Sequence, residues 1–233
     1  MKIHFLGTGA ADWDINNPSG DINFRRFSSV LVDDCLLIDP GPCIFEFAET
    51  FKHPKLFALL KDVICTHKHA DHFNQDNLNR LLGESANARF HEIDAFAKLE
   101  TDNHVIYSYP ANHGTAVSPK NYVVESKVSG KRFFYGLDGA WILYDVYKAL
   151  LEFGHLDLMV FDATIGNIEG DYRIFEHNNL TMIKEMSKTF RKICSNFIIS
   201  HMARTLHASH EELEKDMGKY GIMVAHDNMI INI

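Results

Sequence analysis

The segment Thr66-His67-Lys68-His69-Ala70-Asp71-His72 crowds three histidines and an aspartate into one short stretch, directly after the apolar run Asp62-Val63-Ile64-Cys65. Imidazole nitrogens and carboxylate oxygens are ligands that several divalent metals accept. So many polar groups at the end of a buried strand are costly unless something binds them. In an extended segment His67 and His69 lie two residues apart and send both rings to one side, while a following turn lets Asp71 and His72 face an adjacent point. That geometry suits two neighbouring metal ions. Ions roughly 3.5–4 Å apart can share a hydroxide near neutral pH and stabilise an in-line displacement at phosphorus, with no side-chain nucleophile required.

Such a cluster must be held by rigid elements. Lys2 to Leu6 reads as a first strand, and Ser29 to Asp33 with Leu36 to Asp39 as a hairpin turned at Asp33 and Asp34. Asp39-Pro40-Gly41-Pro42 ends that run. One helix is expected through Ile44, Phe45, Ala48 and Phe51, and another from Pro54 with Leu56, Leu59 and Leu60 buried. Asp62 to Cys65 is a short strand aimed at the histidines, followed by a helix carrying Leu78, Leu81 and Leu82 and stopped by Gly83. From Arg89 to Phe134, β-rich runs alternate with polar turns and read as strands of a second sheet. Helical spacing returns at Ile142, Val146, Leu150 and Leu151, then a buried strand from Leu156 to Phe161. Leu180, Ile183, Met186 and Phe190 form one stripe of a longer helix capped by Asn178 or Asn179. Phe197 to Ser200 is a strand, Ser209 and Glu212 form a capping box, and Ile222 to Ala225 with Met229 to Ile231 read as a closing hairpin. Strands in both halves with helices interspersed predict an α+β architecture of two packed sheets covered by helices. With no repeat and no linker, residues 1–233 are expected to form a single domain.

Composition narrows the function. The chain has 23 basic and 31 acidic residues, a formal charge of −8, and 46% hydrophobic residues. This is a globular balance that argues against disorder and against a broad nucleic-acid surface. The 14 histidines stand out. Met1 to Gly9 lacks the apolar region of a signal peptide, and no window approaches the roughly 18–20 apolar residues of a membrane span. Cys35, Cys43, Cys65 and Cys194 have no CxxC spacing and read as buried reduced thiols. The expectation is a cytoplasmic protein without membrane contact.

H-x-H-x-D-H after an apolar strand resembles the metallo-β-lactamase fold, a four-layer αββα sandwich of metal-dependent hydrolases. The resemblance implies further ligands at strand ends: His113 in Ala111-Asn112-His113-Gly114, Asp138 in Tyr135-Gly136-Leu137-Asp138, and His201 in Ile198-Ile199-Ser200-His201. By the family scheme His67, His69 and His113 hold one ion, Asp71, His72 and His201 the other, and Asp138 bridges them. Phe5-Leu6-Gly7-Thr8-Gly9-Ala10-Ala11, Ser28-Ser29-Val30-Leu31-Val32 and Val224-Ala225-His226-Asp227 are similar to the phosphodiesterase branch. That branch contains cyclic-phosphate phosphodiesterases and, further away, tRNA 3′-processing endonucleases. Phe161-Asp162-Ala163-Thr164 with Glu176-His177-Asn178 resembles the branch's acidic-residue and histidine pair, which implies that His177 donates a proton to the leaving oxygen and Asp162 orients it. Two departures stand beside this likeness. Asp12 to Arg26 contains no cysteine where the cyclic-phosphate enzymes bind a structural zinc, and no Gly/Pro-rich tRNA-gripping arm is present.

The expected function is therefore a dinuclear, zinc- or manganese-dependent hydrolase, a phosphodiesterase of small phosphodiesters, cyclic ones included. Asp71, Asp162 and His177 are its catalytic residues. Two ions outweigh Asp71, Asp138 and a hydroxide, so the site attracts a small anionic substrate despite the global charge. Alternatives are a thioester, lactone or other ester hydrolase, a tRNA-processing type endoribonuclease, and a non-catalytic metal-binding protein on the same fold; a homodimer is left open. His4, His53, His91, His104, His155 and His210 read as packing, capping or surface residues. Arg25, Arg26, Lys131 and Arg132 read as solvated charge rather than substrate ligands, and His207 and His226 are candidates for the pocket wall.

Overall fold

Strand β1 (Lys2–Gly7) shows how the layers arise: Ile3 and Phe5 point into one hydrophobic cluster and Leu6 into another, the alternation of a strand buried on both faces. A computed structural model of the chain describes residues 1–85 and 87–233. The first sheet has the order β13-β1-β2-β3-β4-β5, formed by β1, β2 (Ser29–Val32), β3 (Leu36–Ile38), β4 (Asp62–Ile64), β5 (Arg89–Phe90) and β13 (Ile230–Asn232). The second contains β6 (Lys98–Glu100), β7 (His104–Pro110), β8 (Lys120–Ser126), β9 (Arg132–Gly136), β10 (Leu158–Asp162), β11 (Phe197–Ser200) and β12 (Ile222–Val224), running from β12 back to β6.

Three apolar clusters match the layers. Ile3, Phe5, Val30, Val32 and Ile64 meet Val124, Phe133, Tyr135, Val160 and Ile198 between the sheets. Helices α1 (Ile44–Thr50) and α2 (Gln75–Glu84) lay Ile44, Phe47, Leu78 and Leu81 on the outer face of the first sheet, against Leu31, Leu37 and Val63. Helices α3 (Tyr144–Phe153), α4 (Leu180–Phe190) and α5 (His210–Gly218) cover the second with Val146, Leu150, Ile183, Phe190, Leu213 and Met217. This is the expected α+β sandwich, in αββα order.

Local signals worked where one side chain settles the geometry. Asp33 and Asp34 both have positive φ (47° and 58°), as the central residues of the tight turn Val32–Cys35 within the three-residue connection of β2 to β3. Asn179 caps α4, and Ser209 with Glu212 closes a capping box on α5. Four expectations are corrected. The stretch from Pro54 is a chain of separate turns, closed by Leu56 N–H to His53 O, Ala58 N–H to Lys55 O and Leu60 N–H to Phe57 O, with Leu59 left 68% exposed. Too few residues are buried there to hold a continuous helix. Gly83 lies inside α2, which continues to Glu84. Strand β5 pairs in parallel with β4 and belongs to the first sheet. The closing segments are not a hairpin: β12 joins β11 in the second sheet, and β13 joins β1 in the first.

The topology sets up a single working edge. Strands β9, β10, β11 and β12 are mutually parallel, as are β3, β4 and β5, and β7 runs with β9 because two antiparallel steps separate them. Ligands of such sheets gather beyond the carboxyl ends of the strands.

Candidate metal centre

At that edge the strand ends deliver the polar residues one by one. Asp39 follows β3, His67 to His72 follow β4, His113 follows β7, Asp138 follows β9, Asp162 ends β10 and His201 follows β11. Asp39, Asp138 and His201 all adopt left-handed backbone (φ 63°, 53° and 59°), at a cost of about 1–2 kcal/mol each. Three such residues at one edge mark where the fold accepts strain to aim side chains. The loop carrying Asp71 is pressed against Gly41, where a Cβ would lie 2.6 Å from the Asp71 carbonyl oxygen. Only glycine permits that approach.

Seven of the expected residues come together in two sets that share Asp138. His67, His69, His113 and Asp138 bring ligand atoms within 4.8 Å of one another, and so do Asp71, His72, Asp138 and His201. His67 Nε2 and Asp138 Oδ2 are 2.9 Å apart, His113 Nε2 and Asp138 Oδ2 3.4 Å, and His113 Nε2 and His69 Nδ1 3.3 Å. In the second set His72 Nε2 lies 3.1 Å from His201 Nε2 and 3.5 Å from both Asp71 Oδ2 and Asp138 Oδ2.

Tautomers follow from what the other ring nitrogens touch. His72 Nδ1–H donates to Asp39 Oδ2 at 2.9 Å, because a carboxylate only accepts. Thr66 Oγ1 donates to Asp39 Oδ1 (2.9 Å) and so accepts from His67 Nδ1 (3.0 Å). Thr164 Oγ1 donates to Asp162 Oδ2 (3.0 Å) and accepts from His201 Nδ1 (2.8 Å). His113 Nδ1–H donates to the Glu176 carbonyl at 3.3 Å. With these protons placed, the buried Nε2 atoms present lone pairs to one another and to carboxylates. His67 Nε2 and Asp138 Oδ1 accordingly make no hydrogen bond, although charged atoms lie close to both. Imidazole nitrogens and carboxylate oxygens converging in this way fit a cation, and imidazoles backed by a carboxylate, hydroxyl or carbonyl are the usual form of histidine metal ligands. The electrostatics agree. Burial pushes the His72 and His201 imidazoles down, but Asp39 and Asp71 around the first, and Asp138 and Asp162 around the second, outweigh it and pull both up. The centre is short of positive charge.

A cleft of about 280 Å³ opens over both sets, lined on its far side by Thr115, Arg173, Glu176 and His177. His177 Nδ1 is 3.1 Å from Asp138 Oδ1 and 3.3 Å from Asp162 Oδ2. Burial lowers its pKa, yet Asp162 and Asp138 prevail and raise it to about 9. Asp162 is fully buried and held ionised below its ordinary range, burial being outweighed by His177 and His201. Its Oδ1 also accepts the N–H groups of Thr164 and Asn178.

Other expectations fare differently. Arg25 and Arg26 are buried, not solvated: Arg26 pairs with Glu46 (2.6 Å) and Asp227 (3.2 Å), and Arg25 binds Thr8 Oγ1 and the Ala225 carbonyl. They lock the loop after β1 to the crossing between the sheets, the burial of the chain around them leaving their charge no route to water. Lys131 and Arg132 pair with Asp157 and Glu125. His207 donates to the Ala163 carbonyl and His226 contacts the Asp227 carbonyl; neither lines the cleft. His4 and His53 share Asn228, and His91 and His104 pair with Asp62 and Asp33, as packing residues do. Sequence reading missed Asp39, Thr164, Arg173 and Glu176. Asp39 carried a signal, an aspartate before Pro-Gly at a strand end; Thr164 and Glu176 stood inside the motif segments without a role of their own, and Arg173 lies in a short 3-10 turn with no signal.

No protein-family model matches the chain. No curated protein matches it in sequence. Solved structures do match in shape. A diphosphatase from the PhnP family is 20% identical, with a TM-score of 0.71 over 100% of this chain and 97% of its own. The short form of human tRNase Z is 18% identical, with a TM-score of 0.69 over 100% and 99%. The metallo-β-lactamase fold protein YhfI from Bacillus subtilis is 13% identical, with a TM-score of 0.71 over 99% and 98%. The layered sheets, their parallel carboxyl ends and this likeness together give the chain the metallo-β-lactamase fold.

Proposed function

We propose that the chain is a dinuclear metal-dependent hydrolase and, within that class, a phosphodiesterase of small anionic phosphodiesters. The observation that carries the reading is the pair of donor sets sharing Asp138, with His177, 3.3 Å from Asp162, on the wall of the same cleft. His67, His69 and His113 would hold one divalent ion, zinc or manganese, and Asp71, His72 and His201 the other, with Asp138 between them. Bound there, the ions would supply Lewis acidity for hydrolysis near neutral pH. The chain's residues do the rest. Asp39, Thr66 and Thr164 hold the imidazoles in the ligating tautomer. Asp162 keeps His177 charged and turned toward the cleft, where its proton goes to the departing alkoxide, a contribution of order 10²–10⁴ in rate. Arg173 adds a positive charge at the cleft wall. A diphosphatase and a tRNase among the similar structures support chemistry at phosphorus.

The test is a substrate panel on metal-loaded protein: bis(p-nitrophenyl) phosphate against p-nitrophenyl acetate, a thioester and a lactone, for wild type and His177→Ala. Phosphodiester preference is expected, and on a diester with an alkoxide leaving group, thymidylyl-(3′→5′)-thymidine, His177→Ala should lower kcat about 10²–10⁴-fold, whereas p-nitrophenolate leaves without a proton. Preference for acyl substrates overturns the phosphodiesterase assignment.

A further inference from the structure

Among the described residues the carboxylates that line the cleft are those of Asp12, Asp71, Asp138 and Glu176. All but one have a task. Asp71 and Asp138 belong to the donor sets. Asp12 accepts the N–H groups of Arg204 (2.8 Å) and Thr205 (3.3 Å) and the Thr205 hydroxyl (3.3 Å), so both its oxygens tie the loop after β1 to the segment after β11. Glu176 is the exception. Its Oε2 accepts from Thr115 Oγ1 at 2.8 Å, while among the described residues its Oε1 accepts no hydrogen bond and no lysine or arginine pairs with the carboxylate. The cations beside it are engaged elsewhere: Arg173 gives Nε (2.9 Å) and Nη2 (2.6 Å) to Asp171, and His177 turns Nδ1 to Asp138 (3.1 Å) and Asp162 (3.3 Å).

This carboxylate stands next to the reacting centre. His113, Glu176 and His177 each bring a ring nitrogen or carboxylate oxygen within 4.8 Å of the other two. Oε2 is 3.8 Å from His113 Nδ1, and the opposite nitrogen of that ring, Nε2, lies in the first donor set, 3.4 Å from Asp138 Oδ2. The residue is also held in place. Thr115 fixes the carboxylate, the Glu176 N–H donates to the Arg173 carbonyl at 2.8 Å, and the Glu176 carbonyl accepts from His113 Nδ1 at 3.3 Å. Its side chain is 31% exposed where it lines the cleft. A fixed negative charge one imidazole away from a site for a phosphate anion opposes binding, because juxtaposed like charges cost affinity. Such a repulsive element discriminates among substrates: it is relieved only by one that brings a positive charge to the same point.

We propose that Glu176 is a specificity-determining residue, and that the phosphodiester it selects carries a cationic group, a primary or quaternary ammonium, on one of its alcohols. The phosphate lies between the donor sets and His177, and the cation, a short alkyl spacer away, lies against Glu176 Oε1. The phosphate keeps its charge for the ions, while the ammonium neutralises the one carboxylate of the cleft that nothing else answers. A partly desolvated charge pair of this kind is worth about tenfold in affinity. The inference rests on the phosphodiesterase reading of the site and names its substrate class.

Phosphocholine and 3,3-dimethylbutyl phosphate test it, because they share a shape and differ in the terminal centre, a charged nitrogen in one and a neutral carbon in the other. Both are titrated calorimetrically into metal-loaded wild type and Glu176→Gln, whose amide oxygen still accepts from Thr115, so the variant is expected to fold. Wild type should bind phosphocholine about tenfold more tightly than its neutral analogue, and the variant should bind the two alike. The glycerol diesters of the same two alcohols, followed by phosphorus NMR so that cleavage of either ester bond is seen, should show the same ratio in kcat/KM and the same loss of it. A ratio cancels any general loss of activity in the variant. Equal binding of the two compounds by wild type, or a preference that survives Glu176→Gln, overturns the proposal. So does a third metal ion per wild-type chain that Glu176→Gln loses, since the carboxylate would then hold a cation of its own. Failure of the phosphodiesterase reading shows separately, as no turnover of bis(p-nitrophenyl) phosphate, and leaves the titration to decide the role of Glu176.

Discussion

Asp39 governs the histidine motif from outside it. Fully buried, it accepts from His72 Nδ1 through one oxygen and from Thr66 N–H and Oγ1 through the other, and Thr66 in turn holds His67. Replacing it by Asn keeps the shape and tolerates the left-handed backbone, but sets an amide NH2 or a single carbonyl against partners that need two acceptors. Asp39→Asn should therefore weaken metal binding about 10–100-fold without unfolding the chain, read by competition with a chelator and by circular dichroism. Residues of this kind explain what was legible at the site. His67, His69, Asp71 and His72 are readable because one strand and one turn fix their geometry within a single segment. His113, Asp138 and His201 are isolated in sequence and gained meaning only from their order in a family pattern. Asp39 and Thr164 act through hydrogen bonds to residues 33 and 37 positions away, which no local pattern encodes.

Among elements, the turn between β2 and β3 shows charge supporting backbone geometry. Asp33, in that turn, accepts from Lys2 N–H at 2.7 Å and lies 3.1 Å from His104 Nε2, tying β1 and the second sheet to the hairpin. Burial pushes its carboxyl up, but His104 and the Lys2 N–H outweigh burial and hold it below the ordinary value. The stability it contributes is thus present above the unfolded pKa of about 3.9 and lost as pH falls through the lower folded value. Asp33→Asn should cost about 1 kcal/mol at pH 7 and progressively less as urea unfolding is followed down to pH 3. A cost independent of pH would assign the effect to the turn conformation alone. Turns and caps of this sort were readable because single residue types decide them. The closing strands were misread for the opposite reason: two short apolar runs separated by a few polar residues look the same whether they pair with each other or with strands of different sheets. The choice between β1 and β12 as the partner of β13 is made by packing across the sandwich.

At the scale of the whole molecule, the carboxyl ends of strands from both sheets converge on one centre, so cations bound there bridge the two halves of the sandwich. Asp39, His67 and His72 come from the first sheet, and His113, Asp138, Asp162 and His201 from the second. Without cations the converging lone pairs and carboxylates repel. Chelation should therefore lower the melting temperature of the loaded protein by roughly 5–10 °C, the shift expected for a chain of this length when a ligand at about 100-fold excess over its Kd is removed. An unchanged melting curve would mean that the sheets are held without the ions. No helix of the described residues is long and apolar enough to cross a membrane. The formal charge of −8 includes the buried carboxylates of the candidate metal centre, Asp39, Asp71, Asp138 and Asp162.

The most direct measurement is the number of metal ions per chain, by elemental analysis after loading with zinc or manganese and removal of excess. Two donor sets sharing Asp138 require two ions in the wild-type protein and a loss of both, or retention of one at most, in Asp138→Asn. A wild-type protein that holds one ion or none, or an Asp138→Asn variant that keeps two, would contradict the shared dinuclear centre.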